Sequence, residues 1–193
     1  MAPVLTDTMN SLNGGLLISI VVIFLMLAAN FQSFKVSAVI LTSVPAVILG
    51  ALSMLMLTGS TLNLQSYMGL IMSIGVSIAN ALLLISNAED IRKQTGDALS
   101  AAKEAAALRI RPIIMTSLAM TAGMLPMAIG FGEGGDQTSP LGRAVIGGII
   151  ASTFAVLVVL PQIYAYIQNK ASIQSISLDP EDAESKYFDN EIK

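Results

Sequence analysis

The sequence contains no cysteine and no histidine, and only 12% of its 193 residues are charged. It therefore lacks thiolate and imidazole metal ligands, disulfides, and the Cys- or His-dependent groups of most hydrolases. We expect no metal site, no cofactor and no enzymatic activity. The net charge of −3, with only scattered basic residues, also gives no basis for nucleic-acid binding.

Hydrophobic residues, by contrast, make up 54% of the chain, and long intervals contain no Asp, Glu, Lys or Arg. An ionised side chain at the bilayer centre costs about 2.5 to 3.5 kcal/mol on insertion scales, so charge-free intervals locate membrane spans. We predict an all-α membrane protein, a bundle of five transmembrane helices in contact with the lipid bilayer. These spans, A to E, cover residues 14–30, 36–57, 65–87, 112–131 and 144–167.

Three further segments flank or connect the spans. Residues 1–13 form an extracytoplasmic lead-in, and the opening Met-Ala-Pro suggests an engineered boundary or a split gene. The alanine-rich residues 90–108 predict a short interfacial helix on the cytoplasmic side, capped by Thr95 or Asp97. Residues 168–193 are polar and acidic, which predicts a disordered cytoplasmic tail.

Prolines and small residues indicate local geometry. Pro112 suits the first turn of span D, where its missing N–H is not needed. Pro45 and Pro126 predict kinks inside spans B and D. Small residues at four-residue spacing, Gly75 with Ala79 and Gly147 with Ala151, allow close helix packing.

The positive charges indicate the orientation of the chain. Five basic residues lie between spans C and D, namely Arg92, Lys93, Lys103, Arg109 and Arg111. Cytoplasmic loops carry the excess of Lys and Arg, so we expect this loop to lie inside. The N-terminus is then extracytoplasmic and the C-terminus cytoplasmic.

Spans C and D also contain polar residues in regular positions. In span C these recur on one helical face at Ser73, Ser77, Asn80 and Asn87, and in span D they are Thr116, Ser117 and Thr121. Such residues can hold helices together through hydrogen bonds worth about 0.6 kcal/mol each. They can equally form a polar path that faces a titrating group on another helix. The residues alone leave both interpretations open.

Three stretches together resemble the second membrane half of resistance-nodulation-division (RND) efflux transporters. They are GVSIANALLLI from Gly75, RIRPIIMTS from Arg109, and the pair Gly147-Gly148 that opens the last span. The similarity covers residues 14–167. It implies that spans A to E are the eighth to twelfth helices of a twelve-helix, proton-driven pump.

The resemblance also implies roles for individual residues in a proton relay. Thr116 matches the relay threonine of the eleventh helix, and Arg109 matches the arginine near the cytoplasmic end of the proton route. Asn80 matches the asparagine of the family's lysine-asparagine pair, but Ala79 stands at the position of the lysine. Beside these, Ser73, Ser77, Ser117 and Thr121 form a candidate polar path.

The same resemblance implies partners and a location. The acidic pair that binds the proton belongs to the missing N-terminal half, so this chain is incomplete alone. The complete pump would be a homotrimer in the bacterial inner membrane, with a periplasmic N-terminus for this chain. A membrane-fusion protein and an outer-membrane channel are its implied partners. Substrate choice would reside in periplasmic domains outside this chain.

Other interpretations remain at this point. A non-transporting membrane scaffold, or a sterol-sensing-like helical module, needs only the small-residue faces that the spans provide. An independent channel is weaker, because the spans contain no charge that could form a ring. A methionine relay for metal is weaker too, since the methionines scatter around the helices instead of forming a line of soft ligands.

Overall fold

The computed structural model describes residues 2–131 and 134–168, and all regular structure in these ranges is helical. The α-helices are α1 Ala2–Phe31, α2 Phe34–Leu41, α3 Ser43–Leu57, α4 Leu64–Thr95, α5 Ala98–Ile129, α6 Gly135–Phe154 and α7 Leu160–Gln168. A π-helical segment, Ala155–Val159, joins α6 to α7. Five helical stretches are long and apolar enough to cross a membrane, which confirms the expected fold class.

Several segment boundaries differ from those predicted from the sequence. The described part of the expected lead-in belongs to α1, which begins at Ala2. The second span is interrupted at Thr42, between α2 and α3 and three residues before Pro45, where we expected a kink. The acidic tail predicted for residues 168–193 lies, beyond Gln168, outside the described residues.

The separate interfacial helix predicted for residues 90–108 is wrong. Instead, α4 continues to Thr95, and α5 begins at Ala98 as one uninterrupted helix. Between them Gly96 adopts φ 75°, a left-handed conformation that ends α4, and the carboxylate of Asp97 accepts hydrogen bonds from the N–H groups of Leu99 and Ser100. These donors stabilise the ionised form and lower the pKa of Asp97, so the predicted cap is confirmed.

Pro112 accordingly lies inside α5 and not in its first turn, which also corrects the expected start of the fourth span. Proline removes one N–H bond and frees the carbonyl four residues earlier, here that of Leu108. Both residues are exposed, so a polar partner outside the chain can reach this carbonyl.

Helix α6 lies at the centre of the bundle and packs against α3, α4 and α5. Gly50 of α3 faces Gly147 of α6 so closely that a Cβ added to Gly50 would lie 2.5 Å from the carbonyl oxygen of Gly147 and would overlap Ala151. The Gly147 and Ala151 pair therefore packs as predicted. Around Gly75, however, a Cβ would meet nothing within 4 Å, so that position lies on a face of α4 that this chain leaves uncovered.

The five spans differ widely in how much of their surface the rest of the chain buries. In their most apolar windows, α1 is 11% buried and α5 is 17% buried, whereas the combined α6 and α7 span is 56% buried. An apolar side that is not covered by the chain requires lipid or another protein. Helix α5, which carries two of the three candidate relay residues, is therefore open to such a neighbour.

Candidate functional site

The candidate relay residues lie along the contact between α4 and α5. We define the inner end of this contact as the end with the basic residues. There, Arg109 Nη2 donates a hydrogen bond of 3.3 Å to Asn87 Oδ1. Asn80 precedes Asn87 by seven residues on α4, and Thr116 follows Arg109 by seven residues on the antiparallel α5. Seven residues correspond to about 10.5 Å along a helix. Asn80 and Thr116 therefore lie at the same depth, two turns from the Asn87–Arg109 contact.

Contacts with α6 give the same register independently. Ser73 Oγ on α4 lies 3.4 Å from the carbonyl oxygen of Val145, and Ser117 Oγ on α5 lies 2.6 Å from Thr153 Oγ1. Val145 and Thr153 are eight residues apart on α6. Ser117 on α5 therefore lies level with Ala81, which follows Ser73 by eight residues on α4. This register agrees with the pairing of Asn80 and Thr116 at one level.

At that level the polar groups are available to an outside partner. Thr116 is exposed, and its hydroxyl donates to the carbonyl oxygen of Pro112 at 2.9 Å, which leaves its acceptor lone pairs open. The half-buried side chain of Asn80 forms no hydrogen bond among the described residues. Ala79, beside it, is exposed on the uncovered face of α4. The structure thus leaves this site open toward a neighbouring helix.

Only some of the hydrogen-bond donors of Arg109, at the inner end, have a partner among the described residues. Its Nε is buried without a hydrogen-bond partner in the described part of the chain, while Nη2 contacts Asn87. A guanidinium group has five N–H donors in a fixed planar arrangement and cannot lose its charge in a protein. The group therefore keeps donors for water or for an acceptor from another element.

The four residues of the candidate polar path differ in their partners and burial. Ser73 and Ser117 are buried and turn toward α6. The Thr153 hydroxyl donates to the carbonyl oxygen of Ile149 at 2.7 Å, so it accepts the hydrogen bond that it shares with Ser117. Ser77 is fully buried, yet its Oγ has no partner among the described residues. Thr121 is half-buried one turn beyond Ser117. Two of the four therefore act in helix packing.

A second polar cluster, around Glu89, was not predicted from the sequence. Glu89 Oε2 accepts hydrogen bonds from Arg92 Nε at 2.7 Å and from the Tyr164 hydroxyl at 2.5 Å, and Oε1 accepts from Gln168 Nε2 at 2.8 Å. The only local signal was the spacing of three residues between Glu89 and Arg92, which suits an ion pair on a helix. This cluster joins the inner ends of α4 and α7.

The outer end of the bundle is held by Arg143 of α6. Its Nε donates to the carbonyl oxygen of Ala128 at 2.9 Å, and its Nη1 donates to Ser60 Oγ at 2.6 Å. Ala128 lies in the last turn of α5, where carbonyl groups lack partners and the helix dipole attracts a positive charge. Arg143 thus ties α5 and the turn before α4 to α6, away from the candidate site.

Comparisons with known proteins agree with this architecture. The family model of the AcrB/AcrD/AcrF family matches residues 2–168. The swarming motility protein SwrC of Bacillus subtilis (strain 168) is 35% identical over 162 residues, which cover 83% of this chain and 15% of SwrC. The solvent-resistant pump membrane transporter SrpB of Pseudomonas putida is 36% identical over 151 residues, covering 78% of this chain and 14% of SrpB.

A crystal structure of a heavy metal efflux pump matches the fold, with a TM-score of 0.70 and 35% sequence identity over 77% of this chain and 15% of that pump. The chain thus spans about 15% of the length of the relatives it matches. Its five apolar helices correspond to part of their membrane region. The chain therefore belongs to the AcrB/AcrD/AcrF family and corresponds to a membrane part of an RND transporter.

Proposed function

We propose that this chain supplies the eighth to twelfth helices of a proton-driven efflux pump, with Asn80, Thr116 and Arg109 in its proton relay. The observation that carries the proposal is the register of α4 and α5. It places Asn80 and Thr116 at one depth, on surfaces left open by the chain, and Arg109 at the inner end of the same contact. No observation favours the scaffold or sterol-sensing-like alternative.

The relay works through hydrogen bonds to acids in the rest of the pump. An ionised carboxylate only accepts hydrogen bonds, so it takes a donor from the amide of Asn80 and another from Thr116, whose hydroxyl turns away from the Pro112 carbonyl to provide it. Once protonated, the carboxyl group can itself donate, and the Asn80 carbonyl or the Thr116 oxygen then becomes its acceptor. This exchange changes the preferred helix arrangement, and proton binding thereby shifts the pump between conformations.

Ala79 affects how the negative charge of the ionised acids in the rest of the pump is neutralised. The lysine usual at this position would offer a positive charge, but Ala79 offers none. The Asn80 amide provides dipolar stabilisation in its place, and Arg109 provides the positive charge at the inner end. The buried hydroxyl of Ser77 has no partner in the part of the chain that the structure describes, and it is the member of the candidate polar path best suited to hold a water molecule.

The proposal includes an assembly and an orientation. The complete pump is a homotrimer in the bacterial inner membrane, working with a membrane-fusion protein and an outer-membrane channel. The basic residues at the inner ends of α4 and α5 support a cytoplasmic location for those ends. The start of α1 and the turn between α3 and α4 then face the periplasm.

Co-expression tests this proposal directly. The chain alone should give no proton-linked export from cells, whereas co-expression with the matching N-terminal part of the pump should restore export. In that restored pump, Thr116→Ala and Asn80→Ala should lower export strongly at normal membrane levels. The structural hydrogen bond of Thr116 is worth only about 1 kcal/mol, and Asn80 forms none among the described residues, so neither substitution should unfold the bundle.

Thr95→Ala is the matched control for Thr116→Ala. The Thr95 hydroxyl is also exposed and donates to a carbonyl four residues earlier, that of Ile91, at 2.9 Å, but it lies outside the relay. Its replacement should leave export unchanged. Export by the isolated chain, or full export by both relay variants in the restored pump, would contradict the proposed function.

A further inference from the structure

The inner end of α4 is held on two opposite faces. Asn87 accepts a hydrogen bond from Arg109 of α5, and Glu89 accepts hydrogen bonds from Tyr164 and Gln168 of α7. Two residues correspond to about 200° around an α-helix, so the side chains of Asn87 and Glu89 leave α4 in nearly opposite directions. One short stretch of α4 therefore links α5 to α7.

Glu89 is the more strongly held of the two residues. Its side chain is 16% exposed and that of its partner Arg92 is 8% exposed, so both charges are largely removed from solvent. A carboxylate in such surroundings is stable only if it is paired and hydrogen-bonded. Glu89 meets this condition with donors from three side chains, two of which belong to α7.

Helix α7 packs mainly against α5 and α2, and Glu89 gives it a hydrogen-bonded contact with α4 as well. The π-helical segment Ala155–Val159 separates it from α6, and such a segment interrupts the regular i to i−4 bonding that would transmit the direction of α6. Tyr164 and Gln168 lie four residues apart on one face of α7, and both are buried and donate hydrogen bonds to Glu89 of α4. Glu89 thus fixes the helix beyond the π-helical segment.

We propose that Glu89 is a positioning residue for Arg109. By fixing α4 against α7, Glu89 sets the position of Asn87, and Asn87 in turn orients the guanidinium group of Arg109. This inference rests on the proposed relay role of Arg109. It assigns to Glu89 a function that needs no contact with the proton itself.

The test uses the complete pump with spin labels on α4 and α7. This chain has no native cysteine, so Gln94→Cys and Tyr166→Cys, both at exposed positions, provide the labelling sites in an otherwise cysteine-free pump. Pulsed electron-spin resonance should show a narrow distance distribution that broadens in Glu89→Ala. Asp90→Ala, which removes the adjacent exposed carboxylate, is the matched control and should leave the distribution narrow.

Export measurements then test whether Glu89 acts through Arg109. Glu89→Ala should lower export in the unaltered pump but cause no additional loss when Arg109→Ala is already present. A distribution unchanged by Glu89→Ala would overturn the inference, and so would an additional loss of export in the Arg109→Ala background. Normal export by Arg109→Ala alone would instead contradict the relay, while the spin-label distances would still report on Glu89 by themselves.

Discussion

Ala79 and Asn80 are neighbours on α4, but they face different surroundings. Ala79 is exposed on the uncovered face, whereas Asn80 is half-buried beside the contact with α5. A long side chain at position 79 would therefore reach toward the rest of the pump without disturbing packing inside this chain. The structure makes position 79 a probe of what lies opposite α4.

We expect Ala79→Lys to depend on the partner half. If that half provides an ionised acidic pair, the lysine gains a counter-charge, and the variant should accumulate in membranes at normal levels on co-expression. Expressed alone, the same variant carries an unpaired cation toward lipid, at a cost of about 2.5 to 3.5 kcal/mol on insertion scales, so its membrane level should fall. Quantitative immunoblotting of membranes checks both outcomes.

Ala79→Met is the control for the added side-chain length, and its level should not depend on the partner half. Equal loss of Ala79→Lys with and without the partner would show that no acid lies near position 79. The proposed relay roles of Asn80 and Thr116 would then lack the acid with which they are meant to form hydrogen bonds.

The site residues differ in how far the sequence could predict them. The seven-residue spacing of Asn80 and Asn87 is a local signal, so their common face could be predicted, but their roles came only from the family resemblance. Glu89 could not be found in this way, because its partners Tyr164 and Gln168 lie 75 and 79 residues away in the chain. A local pattern contains no information about such contacts.

At the scale of helices, the contact of α3 with α6 depends on glycine. A Cβ added to Gly147 would lie 2.5 Å from the carbonyl oxygen of Gly50, and one added to Gly50 would meet the backbone of Gly147 in the same way. Backbone atoms cannot move aside as a flexible side chain can. This contact is therefore more sensitive to a single methyl group than any exposed helix face.

We expect Gly50→Ala to destabilise the bundle by about 1 to 3 kcal/mol, the usual cost of overpacking a close contact. Thermal unfolding in detergent, followed by circular dichroism, measures the change. Gly75→Ala is the matched control: its Cβ meets no atom within 4 Å, and alanine favours a helix over glycine by up to about 1 kcal/mol. A lower melting temperature for Gly75→Ala than for Gly50→Ala would contradict the packing described.

Spans and helices were not equally predictable from the sequence. Charge-free intervals located all five spans, because the cost of burying a charge acts locally along the chain. The continuity of α5 from Ala98 through Pro112 was missed, because proline is over-represented at the first position of a helix and was therefore interpreted as the start of one. Whether a proline is tolerated inside a helix depends on what surrounds the freed carbonyl, and that is a property of the tertiary structure.

At the scale of the molecule, the chain covers its own helices incompletely. Apolar side chains are exposed along α1 and α5, and the chain corresponds to about 15% of the length of its relatives. The central helix α6, by contrast, is surrounded by α3, α4 and α5. Such a distribution fits a part that is stable around α6 and completed at its periphery by lipid and by the rest of a transporter.

We infer the orientation of this part from its charges, and cysteine labelling tests that inference. The turn from Thr58 to Asn63 contains no basic residue, whereas the inner ends of α4 and α5 contain five. Because the chain has no cysteine, Thr61→Cys and Gln94→Cys each introduce a single reactive thiol at an exposed position.

In the co-expressed pump, an impermeant maleimide added to cells with a permeabilised outer membrane should label Thr61→Cys. It should label Gln94→Cys only after the inner membrane is also opened, which controls for thiol reactivity. Because the single span α4 separates Thr61 from the end of the bundle that holds Gln94, labelling at one site predicts protection at the other. Labelling of Gln94→Cys in cells with an intact inner membrane would reverse the orientation and place Arg109 at the periplasmic end, where it could not serve a cytoplasmic proton exit.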